Sequence, residues 1–303
     1  MGRRTNGAVP WRSIETAFSD GFRSRYELPV PRRALYQALA RRHLKRLAGI
    51  TRSASTSAAR DSGVVTEIYE REDRLPTTDF GHSRADRRDV FLLSGRPIFV
   101  DGWFTFEYRA ELLSRALSLA KARAALEVGS GRGILLAMLA LRRPELELEG
   151  IELVADGVAR SYELAAEPPA ELLRLCGIEV PAPEQAGALA RLRFHQGDAA
   201  AMPFEDKVFD VSYTCLALEQ MPGTVPGVLS EMARVTRGYC MFLEPFAEAN
   251  GPLGMAQLRS LDYFRGSYED FRNFGLEPVY FTKAIPQKVR FRTGLLVARV
   301  TGQ

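Results

Sequence analysis

A glycine-rich turn constrains this chain more than any other feature. The apolar run Ala124-Ala125-Leu126-Glu127-Val128 leads into Gly129-Ser130-Gly131-Arg132-Gly133, and a second apolar stretch opens at Ile134. Glycine has no Cβ, so it enters left-handed backbone at little cost and lets a ligand approach the main chain. A strand, such a loop and a helix make the nucleotide-binding corner of an α/β sheet. The spacing narrows the choice. A dinucleotide site needs G-x-G-x-x-G, whose third glycine seats helix on strand beneath a pyrophosphate. Here the glycines read G-x-G-x-G, and Glu127 stands two residues ahead of the first.

Three more motifs follow in order. Glu147–Glu152 reads as a second strand that closes on a carboxylate, 19 residues beyond Gly133. A carboxylate there can accept hydrogen bonds from both hydroxyls of a ribose. Arg191–Ala199 is a third strand running into Gly197-Asp198-Ala199, and Met202-Pro203-Phe204 with Phe209-Asp210-Val211 marks entry to a fourth. The set resembles class I S-adenosylmethionine-dependent methyltransferases, and the last pair is similar to their small-molecule, quinone-biosynthesis-type subgroup. The resemblance spans residues 124–300.

That resemblance implies a Rossmann-like α/β fold: a seven-stranded, mostly parallel sheet with an antiparallel C-terminal hairpin, plus a helical N-terminal extension. It implies S-adenosylmethionine as cofactor. Glu127, Gly129, Ser130, Gly131 and Gly133 would hold its amino-acid end, Glu152 and Leu153 its ribose, and Asp198 and Ala199 its adenine, with Thr214 and Cys215 completing the set. The chain departs from the pattern at Gln220, where relatives carry histidine, and at Val235–Tyr239, where they carry a Pro-Gly-Gly turn. An amide does not titrate near neutral pH, so Gln220 cannot serve as a base.

Periodicity places strands near 124–128, 147–152, 191–195, 208–214 and 238–244, with a closing pair near 277–283 and 289–300. Helices are predicted over 134–142, over 154–175 with a break at Pro168-Pro169, and over 226–235 and 254–274. The stretch 167–190 reads either as cover over the cofactor cleft or as a surface insertion. The first strand divides the chain into an extension, 1–123, and a cofactor-binding domain, 124–303.

Charge divides along the same line. Residues 1–123 hold 23 Lys/Arg against 14 Asp/Glu, whereas 124–303 hold 18 against 23. Between Leu28 and Arg60 there is no acidic residue, and 32–50 reads as a basic helix with Leu35, Leu39, Leu44 and Leu47 on one side. Such a helix either packs its leucines on the sheet or contacts an anionic surface. Residues 49–63, rich in Ser, Thr and Ala, read as a flexible linker. No apolar stretch approaches the roughly 20 residues of a membrane span, and no secretory pattern follows Arg3-Arg4. The three cysteines, Cys176, Cys215 and Cys240, lack disulfide or zinc spacing, so no metal is expected and the cytoplasm is the expected location.

A methyl donor of this kind brings its own electrophile, so no triad is required and the catalytic residues stay unknown. Glu219, Tyr263 and His82 are weak candidates for a base, while His195 on a strand end reads as a core histidine. Trp103, Phe104, Phe106, Tyr108, Tyr263, Phe264 and Tyr268 read either as a clasp for an apolar acceptor or as packing, and Arg109, Arg259 and Arg265 as recognisers of an anionic group. The expected acceptor is a small molecule methylated at O, N or C. A nucleic-acid or protein methyltransferase using the basic arm, and a non-catalytic cofactor-binding scaffold, stay open. Against nucleic acid, the fourth strand runs into Thr214-Cys215-Leu216 rather than a Pro-Pro-aromatic turn.

Overall fold

The computed structural model describes residues 9–18, 20–29, 31–53, 88–289 and 291–301. Its centre is a seven-stranded sheet of β3 (Ala124–Val128), β4 (Glu147–Glu152), β5 (Arg193–Gln196), β6 (Phe209–Cys215), β7 (Thr236–Glu244), β8 (Leu276–Thr282) and β10 (Gly294–Val300). The order is β5-β4-β3-β6-β7-β10-β8. The first five strands run parallel, and β10 is antiparallel to both β7 and β8. This is the Rossmann-like fold expected from the motifs. Because β3 to β7 point the same way, the turns after them converge on one carboxyl edge.

Strand side chains alternate between two apolar layers. Ala125, Met241, Leu243, Leu295 and Val297 face one core, while Leu126, Val128, Cys240, Phe242, Leu296 and Ala298 face the other. Helix α3 (Phe104–Leu119), α4 (Ile134–Arg142) and α5 (Ala155–Ala166) belong to the first layer, and α8 (Val225–Val235) to the second.

Helix α4 is buried from Leu135 through Leu141, and a helix that is apolar all round needs neighbours on every side. The 167–190 stretch supplies them. Its helices α6 (Ala170–Leu175) and α7 (Pro183–Ala190) bury Leu172, Leu173, Leu175 and Leu189, and Gln185 Nε2 donates to Leu141 O at 3.1 Å. These contacts lie at the end of α4 away from the glycine turn, so the insertion does not cover the cofactor cleft.

The N-terminal extension is part of the same core. Trp11, Ile14 and Phe18 of the 3-10 turn Trp11–Phe18, and Phe22 of α1 (Asp20–Tyr26), are buried with residues of β6, β7 and β10. Aromatic edge contacts run from Phe22 and Tyr26 to Phe104 and on to Phe91. The extension is helical as expected through α2 (Arg32–Ser53), which continues into the 49–63 segment read as linker; 54–63 and His82 lie outside the described residues. It also contains an unanticipated hairpin, β1 (Arg88–Leu93) and β2 (Arg96–Asp101). Its two-residue turn uses Ser94 and Gly95 at φ 50 and 76, the mirror-image geometry that matches strand twist. The short β9 (Gln287–Lys288) adds to β1 as a third strand.

One predicted helix is shortened. Residues 254–274 divide into α9 (Pro252–Ser260), an irregular stretch, and a 3-10 turn at Glu269–Phe274. Asp262 at φ 49 ends the α-helix, and the aromatic residues beyond turn inward: Phe264 and Phe271 are buried and Tyr268 stacks on Phe281.

Candidate active site

The carboxyl edge assembles most of the cofactor-binding residues expected from the sequence. Glu127 lies near the end of β3 and the glycine turn follows it, Glu152 and Leu153 close β4, Asp198 and Ala199 follow β5, and Thr214 and Cys215 end β6. All three glycines of the turn have positive φ: 77 at Gly129, 56 at Gly131 and 68 at Gly133. Gly129 and Gly133 are also crowded. A Cβ on Gly129 would meet that of Ala217 at 2.6 Å, and one on Gly133 the Phe194 ring at 2.9 Å. A Cβ on Gly131 would meet nothing within 4 Å. The turn therefore packs against the protein at both ends and opens into free space in its middle.

Four of its amides are spent internally. Gly129 and Ser130 N–H both donate to Ile151 O, at 2.9 and 3.1 Å, and Gly133 N–H donates to Ser130 O at 3.0 Å. Gly131 N–H donates to Glu152 Oε2 at 2.8 Å, and Val154 N–H to Glu152 Oε1 at 3.1 Å. Glu152 thus ties the glycine turn to the start of α5, and its remaining lone pairs are what a ribose could use. What the open middle of the turn offers a ligand is chiefly shape.

Glu127 is 4% exposed, and the hydrogen bond it receives from the Tyr213 hydroxyl is long, at 3.4 Å. Burial pushes its carboxyl up to about 8, against the opposing pull of that hydroxyl and of the Arg109 guanidinium. A buried acid with so little compensation is suited to receive a cation from a ligand. Cys215 is held protonated in the same way, its thiol pushed up by burial to about 12, which rules it out as a thiolate nucleophile at neutral pH.

Two residues of this edge were not among the expected cofactor contacts. Arg109 of α3 lies beside Tyr108, Cys215 and Glu219, its Cζ 5.9 Å from the Tyr108 ring centre. Its Nε is buried with no hydrogen-bond partner among the described residues. Glu244 closes β7, is fully buried, and accepts the N–H groups of Ala217 and Leu218 at 3.0 and 3.2 Å. Both amides belong to the turn after β6, where Leu216 holds φ at 59, a strained value for a branched-chain residue. Glu244→Leu leaves those two amides without an acceptor and should cost about 2–4 kcal/mol, read from the denaturation midpoint. Glu244→Gln keeps an acceptor oxygen and should stay within about 1 kcal/mol.

The remaining candidates divide. Glu219, 7% exposed, sits in the 3-10 turn Leu218–Gln220 with Oε1 receiving Gln220 Nε2 at 3.2 Å, and its carbonyl accepts Phe264 N–H at 3.4 Å. Tyr263 lies next to that contact, but its ring packs edge-on against Phe291 at 5.8 Å. His195 bonds Glu149 Oε2 at 2.6 Å and serves the sheet. Asp198 is exposed and accepts Ala200 N–H at 2.8 Å. Trp103, Phe104 and Tyr108 are buried in the core of the extension rather than free to clasp a ligand, and Arg265 pairs with Asp262 at 3.6 Å. Among the described residues no group of His, Cys, Asp and Glu could hold a metal ion, and no helix is long and apolar enough to cross a membrane.

Residues 126–242 match the family model described as a methyltransferase domain. Over these residues, from β3 into β7, the chain is similar to methyltransferase domains. With the fold, this supports an enzyme of the methyltransferase type. No curated protein matches the chain. Among solved structures it is similar to the [4+2]-cyclase SpnF, at 18% identity and a TM-score of 0.52 over 82% of this chain and 98% of that one. It is also similar to geranyl diphosphate C-methyltransferase from Streptomyces coelicolor A3(2), at 13% identity and 0.47 over 80% and 100%. A third is the putative methyltransferase complexed with the Trm112 activator of Haloferax volcanii, at 16% and 0.45 over 65% and 98%. At these identities the likeness concerns the fold, and a shared fold does not fix the chemistry.

Proposed function

We propose that this methyltransferase acts on a small-molecule acceptor held over the tips of β3, β6 and β7. The observation that carries the reading is the pairing of Glu127, buried with only a long hydrogen bond, with a glycine turn whose midpoint opens into free space. When bound, S-adenosylmethionine supplies a methyl carbon on a positively charged sulfur, an electrophile with its leaving group attached. The chain's own residues bind and align. Glu127 receives the ammonium of the cofactor's amino-acid end, Arg109 faces its carboxylate, and Glu152 fixes the turn while meeting the ribose. Asp198 and Ala199 flank the adenine, and Leu153, Thr214 and Cys215 complete the wall. Holding two reactants in line can supply about 7–11 kcal/mol of a displacement barrier.

Tyr108 of α3 and Glu219 of the Leu218–Gln220 turn are buried, and both lie near Arg109 and Cys215. For a protonated acceptor, Glu219 is the carboxylate proposed to receive the proton, oriented by the Gln220 amide. The motif that resembles the quinone-biosynthesis subgroup bears on the sheet: Asp210 accepts the N–H groups of Arg123 and Ala124 at 2.8 and 3.0 Å and pairs with Arg237. It carries no acceptor preference.

Calorimetry with S-adenosylmethionine and S-adenosylhomocysteine, joined to a labelled-methyl screen of metabolite extracts, tests the reading. Binding of both and label in a low-molecular-weight product are expected. Absence of donor binding overturns it, as does label entering only RNA or protein.

A further inference from the structure

Away from the donor pocket, α2 presents a surface that the methyl-transfer reading does not use. Its 22 residues include seven Lys/Arg and no acid. A narrow stripe holds it to the hairpin sheet: Leu35 is buried with Val90 and Val289, and Ala38 and Leu39 pack alongside. Among the described residues, nothing covers the opposite face. Tyr36 is 58% exposed and Leu44 65%, and with exposed Ala40 they form an i, i+4, i+8 column. Exposed Arg32, Arg33, Arg41 and His43 flank that column. At its foot lies a groove of about 940 Å³ whose walls include Leu28, Pro29, Leu35, Tyr36 and Pro97. Arg32 and Arg96 also line it and form no ion pair among the described residues, whereas Arg23 is held by Glu27 at 2.7 Å.

We propose that this face of α2, with the groove at its foot, docks the protein on an anionic lipid bilayer. Basic side chains lay their methylene stems along apolar surface and keep their charge at the headgroup level, where tyrosine also settles. Anionic leaflets attract each such charge, and a leucine column beside it adds burial at the acyl boundary. A nucleic acid would use the arginines but gain nothing from Leu44. A second copy would bring like charge against like. The surface also has a fixed place on the enzyme, because α2 packs along α9, and the segment after α9 touches Glu219 through Phe264.

Co-sedimentation of the full chain with vesicles of phosphatidylcholine, with and without roughly one-third phosphatidylglycerol, tests the proposal. Partitioning is expected to be at least about tenfold stronger on the anionic vesicles and to fall with salt. Arg33→Glu with Arg41→Glu should lower it by about tenfold or more. Tyr36→Ser with Leu44→Ser should lower it about fivefold while keeping the salt dependence. Thermal melts and donor calorimetry should match wild type in both double variants, which separates a docking defect from a failed methyl-transfer reading. Equal partitioning on neutral and anionic vesicles overturns the proposal. So does wild-type partitioning by the Tyr36/Leu44 variant, or salt-sensitive retention of single-stranded RNA without vesicle binding.

Discussion

Gly131→Leu should abolish donor binding while leaving a folded protein. The backbone there sits at φ 56, where a side chain costs about 1–2 kcal/mol, and the space into which a Cβ points is empty. The branched side chain would fill the middle of the glycine turn, where the cofactor is proposed to lie, and an affinity loss beyond about a hundredfold is expected. The neighbouring glycines serve as contrasts. Gly129 and Gly133 face Ala217, Phe194 and Ser161 within 3 Å, so leucine there would damage the fold itself. Calorimetry paired with a thermal melt separates the cases. Near-wild-type affinity in Gly131→Leu would remove this turn from the binding site.

The second large effect is on pH. The Glu127 carboxyl, raised to about 8 by burial, is mostly protonated in the free protein at neutral pH. An ammonium placed against it favours the ionised form, so donor binding expels a proton. Affinity should therefore climb with pH, approaching tenfold per unit, and level off above about 8; between pH 6 and pH 8 the gain is roughly 50-fold. Stability of the free protein runs the other way. An acid whose folded-state value lies above its unfolded one stabilises most when protonated, and that contribution is lost as pH rises from about 4.5 to about 8. Glu244, also raised to about 8 by burial, adds in the same direction. Titrating donor affinity from pH 6 to pH 8 gives the readout, and Glu127→Gln should flatten the curve. A steep rise surviving in that variant would assign the proton to another group.

Much of the fold was legible because its signals were local. Ala124–Val128, Glu147–Glu152 and Ile134–Arg142 are apolar runs bounded by glycine, proline or charge, and they occur as read. The hairpin at 88–101 also carried a signal, Ser94-Gly95 between two alternating runs, but the resemblance implied a helical extension and no strands were read there. Helix 254–274 failed for a tertiary reason: Phe264, Tyr268 and Phe271 find partners in the second core that a continuing helix could not reach. At the candidate site, the residues after β3 and β4 were read from motifs, and the fold brings them to one edge of the sheet. Glu244 escaped although β7 closes on glutamate just as β4 does, and that repetition could have revealed it. The position of Arg109 over the pocket was out of reach, because it depends on where α3 crosses the sheet.

The first turn of the chain has its partners at the far end of the sequence. Trp11 packs edge-on against Tyr239, Glu15 Oε1 receives the Tyr280 hydroxyl at 2.8 Å, and Phe18 shares a core with Leu295 and Val297. A ribosome adding about 5–20 residues per second leaves these aromatic groups without their final neighbours for tens of seconds, until the closing strands emerge. Completion of the native core must wait for β8 and β10 to be made, with the Trp11–Phe18 aromatics exposed in the meantime. Holdase chaperones have their natural target there.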